Sequence, residues 1–251
     1  MTAFSFHIVA VLAVAIWAAC VYAIIRRNEH VELHRAFVVP LAFMAFVATV
    51  ALLFALFLPT PWNMSAAIAT VGFGLSAWSD LNTGYLWDDA VISTAFVCAA
   101  IMILGGRGQE SIAGGTVCGI VASAYYFLAL LCGKPAGYGD VKLVAGIGFA
   151  LGPMGGVAAY FIGVILMSAG VLLVANLSRK PARELLTKPM PFGLAFIGGL
   201  MISAALLPYF NAVRSGSIRT TFTTTSTAVP LPKNAGEFPP LQKTYTLSWP
   251  D

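Results

Sequence analysis

The chain has 251 residues, of which 59% are hydrophobic and 10% charged, with a mean hydropathy of +0.86. Soluble domains carry about 25% charged residues, and no water-soluble core could hide this much apolar surface, so length here counts membrane spans and not globular domains. The net charge of +4 comes from 14 Lys and Arg spread along the polar breaks, which reads as membrane topology and not as a nucleic-acid surface.

A span needs about 20 apolar residues, fewer inside a bundle. The first runs from Phe4 to Ile25, and the polar stretch Arg26 to Arg35 follows it. It lacks the basic leading region of a signal peptide, so it is expected to be an uncleaved span with its N-terminus outside. The second covers Ala36 to Leu58, and Pro59 to Asn63 turns the chain. The third covers Met64 to Ser79 and ends at Asp80, where a polar break continues to Asp89. The fourth runs from Ala90 to Leu104, ahead of a glycine-rich turn, Gly105 to Glu110. The fifth is Ser111 to Cys132, and a short sixth, Val141 to Leu151, stops at Gly152-Pro153. The seventh is Gly155 to Leu177, then comes the densest basic loop, and the eighth is Met190 to Phe210.

The expected fold is therefore all-α, a polytopic membrane protein with about eight transmembrane helices. Residues 1–63 would hold two N-terminal helices joined by a short cytoplasmic loop, 64–210 a six-helix core, and 211–251 a non-cytoplasmic tail, rich in Thr, Ser and Pro and disordered. With the N-terminus outside, the inner loops collect Arg26, Arg27, Arg35, Lys134, Lys142, Arg179, Lys180, Arg183 and Lys188, and the short outer loops only Arg107. That bias places the basic loops in the cytoplasm. Asp80 and Asp140, 60 residues apart, then reach the same membrane face.

The stretch Gly137-Tyr138-Gly139-Asp140-Val141-Lys142-Leu143 sets a carboxylate behind two glycines at the edge of apolar segments. A carboxylate beside hydrocarbon is costly and is a functional-site hypothesis by default; the bland alternative is a solvated helix-end residue next to Lys142. Two carboxylates brought close share a proton, so that one acts as general base and the other as general acid. Such a pair can activate water against an amide and protonate the leaving nitrogen without a metal, a cofactor or a nucleophilic side chain. Asp88 and Asp89 are read as solvating or supporting carboxylates of the loop. His30 and His34 lie four apart, but no third ligand is near, so no metal site is expected. Cys20, Cys98, Cys118 and Cys132 form no CxxC pair and are read as small core residues. The spacings Gly115…Gly119, Gly148…Gly152 and Gly152…Gly156 allow close helix contact within the bundle.

Gly137 to Leu143 resembles the GxGD-V-K-L motif of the type IV prepilin peptidase family. The segment Asp80 to Asp88 resembles that family's other acidic element, although Trp87 stands where the family often has Pro. Pro191-Phe192-Gly193 resembles the family's Pro-Phe-Gly after the final cytoplasmic loop, and Gly152 also fits. The match covers about Ala66 to Leu207. The resemblance implies an intramembrane aspartic endopeptidase of a bacterial inner membrane. Such an enzyme cuts the basic leader from prepilins or pilin-like proteins at the cytoplasmic face. Asp80 and Asp140 would be its catalytic pair, with Gly137, Gly139, Lys142, Asp88, Pro191, Phe192 and Gly193 as motif or supporting residues. Larger members carry a cytoplasmic domain with paired CxxC motifs between the first two spans and also N-methylate the new pilin end. Here that slot holds only Arg26 to Arg35, so cleavage without methylation is expected.

A presenilin-like protease also carries a GxGD, but its first Asp lies in an apolar span and its third motif is Pro-Ala-Leu. A different class, a membrane transporter or a non-catalytic scaffold for pilus assembly, is the alternative. Inverted repeats would favour transport, and no convincing ones are seen.

Overall fold

A computed structural model describes residues 3–34, 38–132, 137–178 and 193–214, with side chains from Ala10 to Ala212 within them. All of these residues belong to one unit, Met1–Ile218. Residues 215–251, the bulk of the expected tail, lie outside the described residues.

Among the described residues every regular element is a helix. Helix α1 is Ala3–Glu32, α2 Leu41–Phe57, α3 Trp62–Thr83, α4 Asp88–Leu104, α5 Gly108–Leu131, α6 Tyr138–Ser178 and α7 Gly193–Arg214. Local chemistry sets the ends. Leu58 closes α2 in an extended conformation, as the residue before Pro59 must. Gly84 closes α3 in the left-handed region, φ 74°, and its N–H donates to the Asp80 carbonyl at 2.7 Å. Asp88 and Asp89 fill the first turn of α4, where negative charge suits the helix dipole.

Three boundaries differ from the sequence reading. Helix α1 continues beyond Ile25 through most of the expected Arg26–Arg35 loop, because that stretch contains no Gly or Pro to stop it. Helix α3 continues past Asp80 to Thr83, so Asp80 sits in a last helical turn and not at the opening of a loop. The expected sixth and seventh spans are two helical limbs that meet at Gly152 (φ 70°, ψ −177°) with no loop between them, and they carry the single label α6.

The fold in α6 is sharp. A Cβ placed on Gly156 would lie 2.8 Å from the Gly148 Cα, although eight residues of straight helix span about 12 Å. The two limbs, 138–151 and 153–178, therefore turn back on each other. Pro153 has no N–H to give the Phe149 carbonyl. The Ser111 hydroxyl donates to that carbonyl at 2.7 Å, the Ser65 hydroxyl donates to the Ala150 carbonyl at 2.9 Å, and Ser203 donates to the Gly155 carbonyl at 2.6 Å. Serines from three other helices thus bond carbonyls at the reversal, those of Phe149 and Ala150 in the turn that it frees and that of Gly155 just beyond it. Glycines let the backbones close: a Cβ on Gly114 would meet the Gly148 carbonyl oxygen at 2.2 Å, and one on Gly115 the Phe149 ring at 2.4 Å. Gly119 has only ordinary contact with Ala145.

Four of these helices are long and apolar enough to cross a membrane: Ala10–Glu32 within α1, Gly108–Leu131, Tyr138–Ser178 and Gly193–Ala212 within α7. Their outward side chains are apolar, with Leu128, Leu131, Phe161, Ile165 and Leu177 all exposed, which is the surface of a membrane protein. Helix α3 is less apolar for a physical reason. It is buried along nearly its whole length and touched by α1, α2, α4, α6 and α7. Protein and not lipid surrounds it, so Ser65, Thr70, Ser76 and Ser79 are tolerated, each with a hydrogen-bonded hydroxyl.

Contacts near the helix ends distinguish the two ends of the bundle. At one, Gly105 lies on Pro61, and Trp62 lies on Gly152. At the other, Leu86 lies on Gly139, Lys142 meets Asp88, and Gly193 meets Asp80. The second end holds both landmark carboxylates.

Candidate functional site

Asp80 is half-buried in the last turn of α3. Its carboxylate accepts a hydrogen bond from the Gly193 N–H, the first residue of α7. A Cβ on Gly193 would lie 3.4 Å from Asp80 Oδ2 and 3.2 Å from the Ala77 Cα. Only a glycine lets the start of α7 come this close to α3. Pro191 and Phe192, the other two residues of that motif, lie outside the described residues.

Asp140 is half-buried in the first turn of α6, where its N–H donates to the Gly137 carbonyl at 3.2 Å. Its own neighbourhood explains both glycines. A side chain at 137 would begin 3.0 Å from Asp140 Oδ2 and crowd the carboxylate. A side chain at 139 would begin 3.0 Å from the Leu86 Cβ, where the 84–87 connection crosses α6. The two motifs therefore touch directly, and the Asp80 carboxylate lies within electrostatic reach of Asp140.

Lys142 and Asp88 join the same two segments a second time. Lys142 Nζ donates to Asp88 Oδ2 at 2.5 Å and sits 4.8 Å from the centre of the Tyr138 ring. This pair ties the first turn of α4 to the first turn of α6. Trp87, where the related motif often has proline, holds φ −71°, a value that proline itself would fix. The Trp87 ring stacks on Tyr85 at 5.9 Å.

One residue of this end was not among those the sequence singled out. Glu29, on α1, is only 2% exposed, and Ser79, the neighbour of Asp80, donates its hydroxyl to Glu29 Oε1. A signal was present. Val21, Ile25 and Glu29 recur at intervals of four, and the first two are fully buried, so Glu29 continues the inward stripe of α1. His30, on the same helix, lies one residue off that stripe and is exposed.

No family model, curated protein or solved structure matches this chain. The chemistry open to the site is that of a paired carboxylate centre at one end of a helical bundle. One carboxylate is held by a backbone N–H, and the other lies in a first turn whose two glycines leave space for that carboxylate and for Leu86.

Proposed function

We propose that this protein is an intramembrane aspartic endopeptidase that removes the basic leader from prepilin or pilin-like substrates, without N-methylation. The supporting observation is that Asp80 and Asp140, distant in sequence, lie at the same end of the bundle, with Leu86 of the Asp80 segment packed on Gly139 and the Asp80 charge within electrostatic reach of Asp140. Neither has a cationic partner among the described residues that would hold both ionised. Two such groups share one proton. The ionised carboxylate takes a proton from a water molecule, which attacks the scissile carbonyl carbon. The protonated carboxylic acid then gives its proton to the leaving amide nitrogen as the C–N bond breaks. Gly193 N–H fixes the orientation of Asp80, Gly137 leaves the Asp140 carboxylate uncrowded, and Gly139 lets Leu86 pack against the start of α6.

In this reading the bundle crosses a bacterial inner membrane eight times, the two limbs of α6 counting separately, with the N-terminus outside and the carboxylates at the cytoplasmic face. The basic leader of the substrate stays in the cytoplasm, and its apolar helix lies in the bilayer against the protein. The deciding experiment is co-expression with a prepilin. Asp80→Asn and Asp140→Asn, each alone, are expected to abolish leader cleavage while the protein still accumulates in the membrane. Cleavage retained in either variant overturns the proposal and favours a transporter or scaffold.

A further inference from the structure

Glu29 has no role in the mechanism above, and its placement is expensive. A carboxyl group taken out of water is costly unless it is well bonded, and an ionisable residue among membrane helices generally marks function. Glu29 is buried, no cation is paired with it among the described residues, and its side chain accepts a hydrogen bond from Ser79. Ser79 is itself fully buried and immediately precedes Asp80.

We infer that Glu29 is a positioning residue for Asp80, acting through Ser79; this rests on the peptidase reading. Consecutive helix residues point about 100° apart. Ser79 is bonded toward α1, and Asp80 is bonded toward α7 by the Gly193 N–H. Two bonds from adjacent residues to two different helices fix both the rotation and the depth of the last turn of α3. The same turn is closed by Thr83, whose hydroxyl donates to the Ser79 carbonyl at 2.8 Å, and by Gly84, whose N–H donates to the Asp80 carbonyl at 2.7 Å. Without Glu29, one side of this turn would be free to rotate and carry Asp80 away from Asp140.

The test uses the full chain in detergent with a prepilin substrate, comparing wild type, Glu29→Ala, Glu29→Gln, Ser79→Ala and the double variant Glu29→Ala/Ser79→Ala. A misplacement of about 1 Å lowers a rate by up to about a hundredfold. Glu29→Ala is therefore expected to lower kcat by about tenfold or more with KM unchanged. Glu29→Gln, which keeps an acceptor for Ser79, recovers most of that loss. The double variant is no slower than Glu29→Ala alone, because the two residues act as one unit. Wild-type turnover in Glu29→Ala, losses that multiply in the double variant, or a rate loss that only follows a lower unfolding temperature overturns the positioning role and leaves the peptidase standing. Absence of cleavage by the wild type, or cleavage by Asp80→Asn, overturns the peptidase reading and this role together.

Discussion

Gly193 carries the tightest constraint at the candidate site. It must donate its N–H to Asp80 and also leave α3 undisturbed, yet the Ala77 Cα lies only 3.2 Å from where a Cβ would stand. That neighbour is backbone and cannot swing aside. Under the proposed peptidase function, Gly193→Ala is expected to shift the start of α7 by a few tenths of an ångström and to slow prepilin cleavage about tenfold, while membrane accumulation is unchanged. A wild-type rate would show that the Asp80 contact is dispensable. The Lys142–Asp88 pair should behave differently. Its side chains are 26% and 53% exposed, so water screens the attraction. Asp88→Ala is expected to change unfolding stability by less than about 1 kcal/mol, measured by thermal unfolding in detergent. Asp80, Asp140, Gly137, Gly139 and Gly193 could be singled out from the sequence because each falls in a short local motif. It did not single out Glu29, whose importance comes from a neighbour 50 residues away.

At the scale of the element, α6 is decided by two adjacent residues. Gly152 supplies a left-handed φ, and Pro153 removes the donor for Phe149. Sequence alone places a break there, but it does not show that the limbs fold back into contact. That depends on Gly114, Gly148 and Gly156 and on serines from α3, α5 and α7. Gly152→Ala is expected to lower stability by about 2 kcal/mol or more, because positive φ costs an L-residue about 1–2 kcal/mol. The new Cβ would also stand 3.0 Å from the Trp62 ring. Thermal unfolding in detergent checks this, and a stability equal to wild type would show that the reversal tolerates ordinary backbone. Helix ends were the least legible feature of the elements. The extension of α1 to Glu32 and of α3 to Thr83 depends on packing and capping, which the apolar runs do not record.

For the whole molecule, the two-ended arrangement of contacts makes topology testable. Gln109 is exposed beside the Pro61–Gly105 end, and Asp89 is exposed beside the Asp80–Asp140 end. In a background without the native cysteines, Gln109→Cys is expected to react with a membrane-impermeant thiol reagent in intact cells. Asp89→Cys is expected to react only after the membrane is opened. The reverse pattern would invert the orientation that the basic loops imply.

By itself the sequence determined that the chain is helical and membrane-embedded, where the breaks fall, and which carboxylates stand at polar edges. Those properties follow from composition and short-range pattern, which need no partner. Only the tertiary structure decided that α3 is enclosed by protein, that α6 folds onto itself, that the 84–87 connection lies on Gly139, and that a glutamate of α1 reaches the residue beside Asp80. Each of these is a contact between segments far apart in the chain. Such contacts are fixed by where small residues let helices approach and where hydroxyls meet freed carbonyls or a buried carboxylate.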